Sequence, residues 1–152
     1  MKHLEQLAPD VYAMLQRADG SHLRMICLRV CEYAVSYNRI VDLAVDESLN
    51  CLRLGVDYPK NLSERLDAIV NDFDDRYFEL KDRVDEAEND EDCAQLTVQY
   101  REHFRKARAV AALQFSANQN SFDAVTDAIY EASASVPDKE LIFSLVRKLL
   151  RS

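Results

Sequence analysis

Between Leu66 and Ala87 the apolar residues Leu66, Ile69, Val70, Phe73, Tyr77, Leu80, Val84 and Ala87 recur at steps of three and four. That period matches one face of an α-helix and no face of a strand. Extended from about residue 62 to 88, it predicts one rod of about 27 residues, roughly 40 Å long at 1.5 Å per residue. A chain containing such an element must bury its stripe against other helices. The remaining sequence supplies them. With 2 Gly and 3 Pro in 152 residues, there is little of the turn chemistry that a sheet-rich fold needs. The expectation is an all-α fold, a single-domain bundle of about six to seven helices spanning residues 1–152.

Capping residues and breakers divide the rest. Lys2 to Arg17 reads as a helix that Pro9 breaks or restarts near Asp10. Ser21 is a candidate N-cap for a second helix to about Ser36, apolar around most of its circumference and therefore central. Asn38 is a candidate start for a third, closing on Gly55. Asn61 or Ser63 can cap the long helix, which "ENDED" terminates. A helix over about 93–118 begins polar and ends in "ARAVAALQFSA", where small residues permit close approach. An antiparallel hairpin between these two would set Arg101, Arg105, Lys106 and Arg108 beside the acidic helix. Ser121 to Ala132 forms a sixth helix. The seventh has Pro137 near its start and Arg147, Lys148 and Arg151 in its last turn.

The same long helix carries the chain's charge. Glu64 to Asp92 holds 13 acidic and 4 basic residues, a local charge of −9. The other residues hold 14 acidic and 15 basic ones, so the overall −8 belongs to a single element. A field of that sign repels nucleic acid and attracts basic partners. No apolar run reaches the eighteen residues of a membrane span, and acidic residues stand where a signal peptide would have its apolar stretch. A cytoplasmic location is expected.

The sequence nominates no catalytic residue, cofactor or metal-ligand set. Asp72, Asp74 and Asp75 cluster, but i, i+2 and i+3 carboxylates on a helix do not converge on one ion. "DDRYFE" has Phe78 where an isoprenoid-type Asp-Asp-x-x-Asp motif needs its third Asp, and no Glu-x-x-His pair of the di-iron bundles occurs. Cys27 and Cys31 lack a second tight ligand pair, so they read as core thiols. No nucleophile elbow or phosphate-cradling glycine loop is present. An enzyme would have to draw on Cys31, Tyr33, Tyr100 and His103.

The side of the helix opposite its stripe is more informative. Phe78 lies roughly 140° from Phe73 around the helix axis, among carboxylates. Like charges at i, i+3 and i+4 cost a few tenths of a kcal/mol per pair, and the penalty recurs here. An aromatic anchor ringed by charge fits a docking surface, for which Asp74, Asp75, Phe78, Glu79, Asp82, Asp85 and Glu86 are the candidate partner-binding residues. The alternatives are a solvated face, with Phe78 packed beneath a loop or a neighbouring helix, and a metal site.

"LRMICLRVCEYAV", "IVDLAVDESLNCLRLG" and "ARAVAALQFSA", set in a small, acidic, all-helical chain, resemble a helical group of bacterial immunity proteins. The resemblance covers about half the chain and does not include the acidic helix. It implies a specific inhibitor that binds a cognate toxin and blocks its active site or substrate access. Asp75, Asp82 and Glu86 would then pair with basic toxin residues while Phe78 fills an apolar notch. A helical adaptor binding a basic host partner is the alternative, and a small helical enzyme a third reading.

Overall fold

A computed structural model describes residues 3–152, and every regular element in it is an α-helix. Eight helices occur among the described residues: α1 (His3–Leu7), α2 (Pro9–Gln16), α3 (Gly20–Tyr37), α4 (Leu43–Leu54), α5 (Lys60–Glu86), α6 (Asp90–Phe115), α7 (Ser121–Ala134) and α8 (Glu140–Arg151). The expected all-α class holds. The count rises above six or seven because the restart expected at Pro9 yields two separate helices, with the Pro9 ring at N1 of the second.

Helix α3 packs against α4, α6, α7 and α8, which makes it the central element that its apolar circumference implied. Leu23, Ile26, Cys27, Val30, Cys31 and Ala34 are all buried there. Helices α6 and α7 pack against each other, and Ala107, Ala109 and Ala112 of α6 and Ala128 and Ala132 of α7 are buried in the same core. Small side chains at these positions let the two backbones close on each other. Cys27 and Cys31 sit in that core as free thiols, both bonded to the hydroxyl of Ser116 at 3.1 Å. No group of three or more potential metal ligands gathers among the described residues, and no helix is long and apolar enough to cross a membrane.

Several caps differ from the sequence expectation. Asp19, not Ser21, caps α3 by accepting from the His22 amide at 2.8 Å. Asn38 does not start a helix. It closes α3, donating from Nδ2 to the carbonyls of Ala34 (2.8 Å) and Ser135 (3.0 Å), and Asp42 caps α4 instead. The long-range bond to Ser135 decides the matter, and no local rule contains it. Helix α5 starts at Lys60, with Pro59 before it and no side-chain cap, so Asn61 and Ser63 lie inside the helix. Gly55 ends α4 in the left-handed region (φ 68°), as expected.

The larger correction concerns α5. The sequence reads as a rod laid across the bundle along its whole length. Only its first half is so placed, through Leu62, Leu66 and Val70. From Asn71 through Lys106 no residue is fully buried. This part of α5 and the facing half of α6 form an antiparallel two-helix arm extending roughly 24 Å past Val70.

Candidate functional site

The arm is held by a half-buried seam. Phe73, Tyr77, Leu80 and Val84 of α5 and its C-cap Ala87 lie along Cys93, Leu96, Thr97, Tyr100 and His103 of α6, all with intermediate exposure. Tyr77 is its aromatic centre: its ring lies 5.5 Å from both Tyr100 and Phe104 and 5.1 Å, edge-on, from Phe78. Offset and edge contacts of this kind add about 0.5–1.5 kcal/mol beyond area burial. At the tip, Asn89 caps α6 by accepting from the Asp92 amide at 2.8 Å. Asp90, Glu91 and Asp92 therefore belong to the first turn of α6 and not to a connecting turn, and there they complement the helix dipole.

Where the arm leaves the bundle, a charged triad fastens it. Arg108 donates from Nη1 to Glu131 of α7 at 3.0 Å and from Nη2 to Asp74 at 3.5 Å. Its Nε is buried without a partner, and its guanidinium stands 5.9 Å from the Phe104 ring. Burial pushes the Glu131 carboxyl above its ordinary value, against the pull of Arg108. Beside this triad His103 packs on Phe73, with ring centroids 6.0 Å apart and Nδ1 buried without a partner. Burial holds its imidazole below the ordinary pKa, assisted by Lys106 and Arg76.

The seven nominated partner-binding residues divide accordingly. Asp74 is half-buried and committed to Arg108, so it belongs to the root of the arm. Glu79 pairs with Arg83 one turn away at 2.9 Å, on the surface. Asp75, Asp82, Asp85 and Glu86 are exposed and form no ion pair among the described residues. Lys81, beside Asp82 in sequence, lies instead against the Tyr77 ring at 5.7 Å. Of the four basic residues expected beside the acidic helix, only Arg108 pairs with one of its carboxylates among the described residues, and within α5 only Asp72 and Glu79 are paired, by Arg76 and Arg83.

Phe78 is 59 % exposed, and its one ring contact is with its neighbour Tyr77. It packs beneath no loop. Val98, equally exposed on α6, and the Phe104 edge add apolar surface to the arm, and neither was singled out in the sequence. The signal that could have found them is the Tyr77 stripe itself. A two-helix seam covers only part of it, so its flanks stay open. The residues that an enzyme would have needed do not assemble. Cys31 is in the core, Tyr33 stacks on Tyr37, and Tyr100 and His103 are on the arm, with no hydrogen bond or ring contact between any two of them.

No family model, curated protein or solved structure matches this chain.

Proposed function

We propose that this chain is a binding protein of the immunity type. Its projecting α5–α6 arm docks on a basic surface of a cognate toxin and blocks that protein's active site or substrate access. The observation that carries this reading is the exposed Phe78 ring on an arm whose Asp75, Asp82, Asp85 and Glu86 form no ion pair among the described residues. Unpaired carboxylates on a projecting element steer a basic partner toward it. Phe78 supplies the apolar anchor that such a contact needs at its centre. Phe78 is not among the residues packed against the bundle core, so core packing does not account for an aromatic there.

The test is co-expression with the protein encoded beside this chain, read as growth and as complex formation by calorimetry. Protection together with a one-to-one complex is expected. Phe78→Ala should weaken that complex by about 2 kcal/mol or more, roughly thirtyfold. Reversing Asp82 and Glu86 to Lys should mainly slow association and remove its salt dependence. Unchanged affinity in both variants would sink the reading. A tight complex without protection would favour an adaptor role on the same face.

A further inference from the structure

A second surface of opposite sign lies where the arm joins the bundle. The turn after α3 and the α6 segment Glu102–Lys106 enclose a cleft of about 730 Å³, within the range of small-molecule sites. Arg39, Arg105 and Lys106 line it, and none of the three forms an ion pair among the described residues. Eleven of the eighteen basic residues among those described form no ion pair, and three of the eleven gather in this one cleft. Seven arginines elsewhere do find carboxylates. The one carboxylate in the cleft, Glu102, lies one turn from Lys106 and forms no ion pair among the described residues. Three adjacent cations repel one another, and an anion of two or more charges removes that repulsion.

The wall of the cleft is equally specific. Tyr37 is 44 % exposed, with its ring stacked on Tyr33 at 6.2 Å, and it offers an aromatic face beside the cations. A helix C-terminus normally disfavours an anion, but here three of its last four carbonyls are occupied. Ala34 O accepts from the Asn38 amide and Nδ2, Val35 O from Ile40 and Ser36 O from Arg39. Arg39 itself stands at φ 54°, the left-handed position that glycine usually takes after a helix. A non-glycine residue there is strained, and the chain nonetheless places a guanidinium at the mouth of the cleft.

We propose that this cleft binds a small molecule bearing a di- or triphosphate, with Arg39, Arg105 and Lys106 holding the phosphates. A nucleotide would also stack its base on Tyr37, whereas inorganic pyrophosphate or triphosphate would use the cations alone. This site is separate from the acidic face of the arm and stands or falls independently of partner docking.

Calorimetric titration of the full chain with ATP, and separately with inorganic triphosphate, at low and moderate salt tests it. One saturable site is expected, weakened about tenfold or more in Arg105→Gln and in Arg39→Gly. Arg39→Gly is the decisive variant, because glycine relieves the backbone strain: its melting temperature should rise while its affinity falls. A purely structural role for Arg39 cannot produce that pair of changes. Tighter binding of ATP than of triphosphate, with Tyr37→Ala abolishing the difference, identifies a nucleotide. Equal binding that ignores Tyr37→Ala identifies an inorganic polyphosphate. No saturable binding of either, or binding untouched by both arginine variants, overturns the proposal.

Discussion

Leu66 and Leu80 occupy the same stripe of α5, and the sequence treats them alike. Leu66 is fully buried in the bundle, while Leu80, four turns on, is only half covered by α6. The first faces several layers of helix and the second a single partner. An amphipathic period therefore reports which side of a helix avoids water. It does not report how many neighbours cover that side. In the bundle the answer is a closed core, and in the arm it is a seam with open flanks. The open flanks make the arm a candidate for docking: its exposed apolar surface and its unpaired carboxylates contribute little to the fold and remain free for a partner.

This contrast can be broken by substitution. Leu66→Ala should cost about 3 kcal/mol, since it opens a cavity in a closed core. Leu80→Ala should cost about 1 kcal/mol, because water can reach the vacated space. Urea unfolding of both variants checks this, and equal losses would mean that the arm is as tightly packed as the bundle. Asn89→Ala removes the α6 cap and should cost about 1 kcal/mol. If the arm opens by itself, hydrogen exchange will register that loss in amides of the arm tip and leave α3 and α7 unchanged. Phe78→Ala should alter stability by less than about 0.5 kcal/mol, however large its effect on binding.

The smallest expected effect is on pH dependence. Burial beside Lys106 and Arg76 keeps the folded imidazole of His103 below its ordinary value of 6.5. As the pH falls through that value, the unfolded chain takes up the proton first, so stability is present above it and declines below it. His103→Gln should flatten that decline between roughly pH 5 and 7, with the change confined to exchange in the arm.

Much of this was legible in local sequence. The α3 stripe, the Gly55 ending, the interior thiols and the α5–α6 hairpin all follow from periodicity or from the identity of one residue. The site was legible in part. Phe78 and its unpaired carboxylates stand out because an aromatic off the stripe, amid like charges, breaks a local rule. Asp74 looks the same in sequence and differs in the fold, where Arg108 claims it. The cationic cleft left no signal, because Tyr37 and Arg39 meet Arg105 and Lys106 only across the bundle.

The sequence alone thus determined that the chain is helical, where most of its helices lie, and that one of them concentrates the negative charge. Those properties depend on neighbours three or four residues apart. Only the tertiary structure decided that Asn38 ends a helix and does not begin one, that half of α5 leaves the core, and which charges meet. Each of those outcomes is set by partners distant in sequence, such as Ser135 for Asn38 and Glu131 for Arg108, and local spacing carries no information about them.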